Sequence, residues 1–288
     1  MKKDIPLRKS AAHRGFTLVE LLVVIGIIAV LISILLPTLG RVQVAGRTTA
    51  SLSNLRQIGL ALQMYRNDNQ GYFPVAAYQS RPDRPRFRWA DALYSYLQVT
   101  EIYFSPNLSE DERQRMNKPF FHTTDGVNNP GILPTTKFYG GYGYNWQYLG
   151  NGRETGGVPP FFTRGKEIRA TSRTIAVADT DGSKNGTDFF TTEGTYVIDP
   201  PYGSFELGSR GSRRNPGGPG PGNAYYTGGN DLDPRQRSTP APRNNGKVCV
   251  LFVDGHASTM TLKEMDDSNG DGQPDNGLWN GQDDPTLR

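Results

Sequence analysis

The 288-residue chain is long enough for one large domain or two small ones, and its 34 glycines and 21 prolines imply a loop-rich fold. The net charge of +4 invites comparison with nucleic-acid binders, but its distribution excludes them. Lys2, Lys3, Arg8, Lys9 and Arg14 against Asp4 place the whole excess in residues 1–15, and the rest of the chain balances its charges, leaving no electrostatic case for nucleic acid. The single cysteine, Cys249, excludes an intrachain disulfide and a cysteine-based zinc cluster.

The first element is an apolar run. Residues 21–36 (LLVVIGIIAVLISILL) carry no charge, and extension back through Phe16-Thr17-Leu18-Val19 is interrupted only by Glu20. As a helix at ~1.5 Å per residue this stretch is about 30 Å long, enough to cross a bilayer's hydrocarbon core. The basic residues precede it, so residues 1–15 are expected in the cytoplasm and everything after the run outside. A secretory signal peptide carries its cleavage site behind the apolar run, after a pair of small residues. Here Pro37-Thr38-Leu39-Gly40-Arg41 follows, with no convincing site. An uncleaved signal anchor is the plain alternative.

The segment Arg14-Gly15-Phe16-Thr17-Leu18-Val19-Glu20 resembles the processing site of type IV prepilins and type II secretion pseudopilins. The resemblance implies cleavage by prepilin peptidase between Gly15 and Phe16, methylation of the new amine, and retention of the apolar helix at the mature N-terminus. Pro37 sits where many members of that family have a helix-kinking proline. Glu20 is intelligible on physical grounds as well. A carboxylate in an apolar segment costs roughly 2.5–3.5 kcal/mol on translocon scales, so it needs a compensating partner. Glu20 lies one helical turn from Phe16, and in a filament of parallel helices it is placed to pair with a neighbouring subunit's terminal amine, the role that the resemblance also implies.

Beyond Pro37 the helical pattern continues. Leu52, Leu55, Gly59 and Leu62 form one series and Leu55, Ile58, Leu62 and Tyr65 a second, predicting an amphipathic stalk over 37–70 that ends near Asn67 before the turn signal Asn67-Asp68-Asn69-Gln70-Gly71. A short helix is expected around Trp89 and Leu93, a buried strand over Thr174–Asp179 and another over Lys247–Val253. The stretch 51–61, Gly71-Tyr72-Phe73-Pro74, Gly143-Tyr144-Asn145 and the strand running into Asp254-Gly255-His256 resemble pilin-like proteins named for a C-terminal H-x9-DG motif. Two positions depart from that pattern: Asn244 stands where the motif has histidine, and Ser51 and Ser105 stand where members often have cysteines. Residues 208–243, with NPGGPGPG at 215–222, are expected to form a long exposed insertion, since such composition buries too little apolar area to offset its ordering cost.

No G-x-S-x-G, H-E-x-x-H, P-loop or dinucleotide fingerprint is present, and no catalytic residues are expected. Asp179, Asp181, Asp254 and His256 are candidates to cluster at strand ends, though Asp-Gly after a strand is first a turn signal. Cys249 between valines reads as a small buried hydrophobe. Near the C-terminus, Asp267, Asn269, Asp271, Gln273 and Asp275 place oxygen donors at alternate positions, with Gly272 at the sixth. This matches the first half of an EF-hand loop and resembles the short calcium loops of dockerin-like and thrombospondin-like repeats. A Ca²⁺ site over 267–275 is expected, weakened because Leu278 replaces the EF-hand glutamate. A solvated Asx-rich turn is the alternative.

The expectation is therefore an α+β protein with a long N-terminal helix, membrane anchor over 16–36 and amphipathic stalk over 37–70, packed on a small antiparallel-sheet periplasmic head over 71–288. Its partners would be prepilin peptidase, other pilin-like subunits and the inner membrane. The rival reading is a membrane-tethered head that binds a ligand or acts as a hydrolase and uses the pilin-type helix only for placement.

Overall fold

The computed structural model describes residues 18–78, 87–116, 118–119, 138–153, 160–182, 184–185, 188–189, 196–200, 239–273 and 275–286. The cleavage position at Gly15 and Phe16, and residues 208–238 of the expected insertion, lie outside the described residues. Contacts divide the chain into two compact units, Met1–Gln43 and Val44–Arg288.

Helix α1 spans Leu18–Asp68, ending within a residue of the position that the Asn-Asp-Asn turn signal indicates. Pro37 lies inside it and removes the amide that would bond the Ser33 carbonyl. From Leu18 to Leu36 every large apolar side chain is exposed, the reverse of what water tolerates on a globular surface. From Ser51 onward the pattern inverts: Ser51, Leu55, Ile58, Gly59, Ala61 and Leu62 are buried on one face.

In chain order, α2 (Trp89–Leu93) and a 3₁₀ turn (Thr100–Tyr103) are followed by α3 (Glu110–Met116). The strands then run β1 (Lys118–Pro119), β2 (Phe138–Tyr139), β3 (Tyr142–Asn145), β4 (Gly150–Asn151), β5 (Phe161–Phe162), β6 (Ile175–Gly182), β7 (Lys184–Asn185) and β8 (Asp188–Phe189). After β9 (Val197–Ile198), β10 (Thr239–Pro240), β11 (Val248–Phe252) and β12 (Ala257–Met260) comes the short α4 (Leu262–Met265). Among the described residues the main sheet has the order β12-β11-β6-β3-β9, with β10 also on β6. All its pairings are antiparallel except β3 with β9. The architecture is α+β, as the sequence implied.

The central strands are apolar on both faces, so the sheet must be covered twice. Cys249 and Leu251 join Leu55, Ile58, Leu62, Trp89, Tyr144 and Val177 on the face covered by α1. Their strand neighbours Val248, Val250 and Phe252 point the other way, onto Ile175, Ala178, Met265, Leu278 and Trp279. The second cover is thus the C-terminal segment. Trp279 Nε1 donates to the Met265 carbonyl at 2.7 Å, and Asn145 Nδ2 donates to the Trp279 carbonyl at 3.0 Å and the Ile175 carbonyl at 2.8 Å.

The turn after β11 is set by a close approach to α1. A Cβ on Gly59 would sit 3.1 Å from Gly255 Cα and 3.0 Å from a Leu251 methyl. Gly255 itself has φ +98°, and Gln63 Nε2 donates to the Asp254 carbonyl at 2.8 Å. Asp-Gly is therefore a turn here, and it doubles as the docking point for the helix. Residues 239–243, assigned by composition to the exposed insertion, instead end it: Ala241 is fully buried and donates its N–H to the Asp179 carbonyl at 2.9 Å.

Gly59→Val is expected to lower stability by about 1–3 kcal/mol through overpacking against Gly255, and Trp279→Ala by about 3–5 kcal/mol through loss of the second cover. Denaturant midpoints of the detergent-solubilised chain measure both, with an unchanged slope if the folded state keeps its extent.

Candidate functional site

Two regions carry chemistry. The first is the start of α1. Its apolar stretch has a mean hydropathy of 3.1, none of it is buried, and among the described residues α1 is the one helix long and apolar enough to cross a membrane. Glu20 lies in its first turn, exposed, where a carboxylate complements the positive end of the helix dipole.

The second is a polar cluster sealed between α1 and the sheet. Asp179 on β6 is fully buried. Its Oδ1 accepts from Ser105 Oγ at 2.7 Å, and its Oδ2 accepts from Asn244 Nδ2 at 3.1 Å and from the Cys249 amide at 3.2 Å. Asn244 also accepts: Thr48 Oγ1 on α1 lies 2.9 Å from its Oδ1, and Asn107 Nδ2 donates to the same oxygen at 2.7 Å. The Asn244 amide therefore ties the helix, the loop after the 3₁₀ turn and the sheet together. Ser51 and Ser105 belong to the same cluster, Ser51 Oγ lying 2.8 Å from the Tyr142 hydroxyl. Asp179 stood out in the sequence only as a candidate for a cluster with Asp181, Asp254 and His256, and nothing in the sequence joined it to Ser105 and Asn244.

Burial pushes the Asp179 carboxyl up despite its three donors and the nearby Arg243 guanidinium, and it pushes the Cys249 thiol up to about 12. Cys249 is free, buried and protonated, as its valine neighbours implied. Arg243 is engaged elsewhere too. Its Nη2 lies 3.0 Å from Glu112 Oε1, and its Nη1 donates to the Thr180 carbonyl at 3.0 Å. Burial raises the Glu112 carboxyl, but Arg243 and the amide and hydroxyl of Ser109 outweigh it and hold the group below its ordinary value.

Asp179, Asp254 and His256 do not come together. Register pairs Val250 with Ala178 and Phe252 with Ile175, so Asp254 and His256 leave the sheet beyond the Ile175 end of β6, whereas Asp179 lies within the strand. His256 Nδ1 is 2.7 Å from Asp254 Oδ1, and its ring stacks on Phe252 at 4.2 Å, an exposed turn pair. The side chain of Asp181 lies outside the described residues.

The loop 267–275 folds on its own amides. Asp267 accepts from Gly270 N at 2.7 Å and Gly272 N at 2.9 Å, Asn269 from Asp271 N at 3.0 Å, and Asp271 from Gln273 N at 2.8 Å. The Gln273 amide and the Asn269 side chain lower the exposed Asp271 carboxyl. Asp275 is buried and turned to Ser268, whose N and Oγ donate to it at 2.9 and 3.0 Å, and to Gly277 N at 2.6 Å. Among the described residues no three His, Cys, Asp or Glu side chains form a ready ligand set. Leu278, at the EF-hand glutamate position, belongs to the core. Asp283 pairs with Arg173 at 2.8 Å, and Asp284 accepts from Thr286 N at 2.9 Å.

Residues 10–36 match the family model described as the prokaryotic N-terminal methylation motif. The chain carries a type IV pilin-like N-terminus. That motif marks a substrate of prepilin peptidase and, with the apolar helix, fits a membrane-anchored protein. No curated protein and no solved structure matches the chain.

Because the folded Glu112 carboxyl is depressed, its stabilisation is present above the ordinary carboxylate value and lost as pH falls through the folded one. Glu112→Gln is expected to flatten that acid-side loss, measured as the urea midpoint across a pH series.

Proposed function

We propose that the chain is a pseudopilin or type IV pilin-like structural subunit without catalytic activity, held in the inner membrane with a periplasmic head. Prepilin peptidase would cut between Gly15 and Phe16, and α1 would carry assembly with other pilin-like subunits into a secretion-associated or pilus-like filament. The observation that carries this reading is the methylation motif over residues 10–36 running into an apolar helix that retains Glu20. The helix dipole complements Glu20 even in a simple tether, and a neighbour's terminal amine would in addition remove its desolvation penalty and its own. Placement among the H-x9-DG proteins draws on the Asp254-Gly255 turn against Gly59 and on the position of Asn244 ahead of β11.

Intact-mass measurement of the membrane-extracted protein should find a chain beginning at N-methylated Phe16. A full-length chain, or one beginning beyond residue 40, removes the reading. Glu20→Ala is expected to insert at least as well as the parent while losing crosslinks between subunits through α1. Equal crosslinking in both would refute the amine pairing.

Calcium belongs to the same proposal. Asp267, Asn269 and Asp271 each retain acceptor capacity after their amide bonds, Gln273 offers its carbonyl, and Asp275 would exchange Ser268 for the ion. The affinity should be of the millimolar class that suits extracytoplasmic modules, since the bidentate glutamate is missing. Thermal melting of the whole protein in millimolar calcium against chelator should show a raised midpoint that Asp271→Ala abolishes. An unmoved midpoint with no heat in calorimetry would leave a turn alone.

A further inference from the structure

The carboxylate of Asp179 is fully buried, yet every group in hydrogen-bonding contact with it is neutral: the Ser105 hydroxyl, the Asn244 amide, and the N–H and thiol of Cys249. Among the described residues, few groups face it from the surrounding elements. β3 brings the Tyr142 hydroxyl and β11 the Cys249 thiol, both held protonated by burial. α1 brings Thr48 and Ser51, and the loop after the 3₁₀ turn brings Ser105 and Asn107, all uncharged. Among the described residues the one cation acting on it is Arg243, whose guanidinium is directed at Glu112 and the Thr180 carbonyl. A buried charge bonded only by neutral donors keeps part of its desolvation cost.

A proton has a defined seat here. Oδ2 already accepts from two N–H groups that cannot reverse, whereas Oδ1 meets a hydroxyl, which accepts as readily as it donates. The neutral acid can therefore donate from Oδ1 to Ser105 Oγ and keep both Oδ2 bonds. The Ser105 contact is kept with its direction reversed, and the buried charge disappears.

We propose that Asp179 is a proton-operated latch joining α1, the Ser105–Asn107 loop and the sheet: the neutral acid holds the three together, and ionisation loosens them. Asn244 is the positioning residue of this latch, since its one amide reaches Asp179, Thr48 and Asn107. The direction of the linkage follows from the raised carboxyl. Stability from this group is fully present below its ordinary value of 3.8 and is lost as pH rises through the folded value, where the loss levels off.

The test is hydrogen exchange of the full chain in detergent micelles from about pH 4 to about pH 8, corrected for the chemical exchange rate. The reporters are the amides of Ser105, Leu108, Asn244 and Lys247, whose bonds close the latch segments, with Ala76, bonded to the Gly150 carbonyl, as the control. Protection of the reporters should fall by up to about tenfold per pH unit and then plateau, the slope of a single proton, while the control stays level. Asp179→Asn should abolish the slope. Arg243→Gln, which removes the cation that depresses Asp179, should move the plateau to higher pH, and it carries the test if Asp179→Asn does not fold. A level wild-type profile, or a plateau that Arg243→Gln leaves in place, overturns the proposal.

Discussion

The globular unit rests on one packing constraint: the face of α1 from Ser51 to Leu62 must lie flat on a sheet whose central strands are apolar on both sides. No disulfide ties helix to sheet, because the lone cysteine sits unpaired in β11. Contact depends instead on close backbone approach, and Gly59 supplies it. Without a side chain there, Leu251 and the Gly255 turn come within about 3 Å of where a Cβ would be. That turn continues directly from the strand beneath the helix, so the approach that seats α1 also fixes where β11 ends. Trp89, stacked on Tyr144 at 5.7 Å and donating Nε1 to the Tyr196 carbonyl, closes the same layer from the side.

Polar bonds then specify what hydrophobic burial alone would leave loose. Apolar side chains can slide along a sheet at small cost, but a buried amide or carboxylate satisfied in one register is orphaned in the next. Asn244 and Asp179 hold the register of α1, the Ser105 loop and β11 at one point, and Asn145 does so on the opposite face by bonding two carbonyls at once. The Asn244 amide makes both halves of the contact, donating to the carboxylate and accepting from the helix.

The C-terminal segment has a structural duty as well as its candidate chemistry. Leu278 and Trp279 cover the second face of the sheet, so the loop 267–275 is the span between α4 and that cover. Its glycines at positive φ, Gly270 and Gly272, let the Asp and Asn side chains bond the amides that the tight path exposes. Alternating oxygens in such a loop meet the demands of the turn and offer a cation a partly built shell, which is why the pattern carries both meanings.

Strong periodic signals were legible in the linear chain. The charge order around the apolar run, the motif from Arg14 to Glu20, the end of α1 near Asp68, the short helix at Trp89 and the two central strands all follow from local composition and spacing. They were legible because each depends on residues within a few turns or one strand of one another. What the tertiary structure alone decided lies between segments far apart: that β10 returns to β6 and buries Ala241, that the C-terminal tail covers the second face of the sheet, and that Thr48, Ser105, Asp179 and Asn244 meet around one carboxylate. Such meetings carry no periodicity, since a hydrogen bond across 65 residues places no demand on the residues between its ends. Only the folded backbone, bringing three segments and a helix to one point, sets Asp179 apart from the other aspartates of the chain.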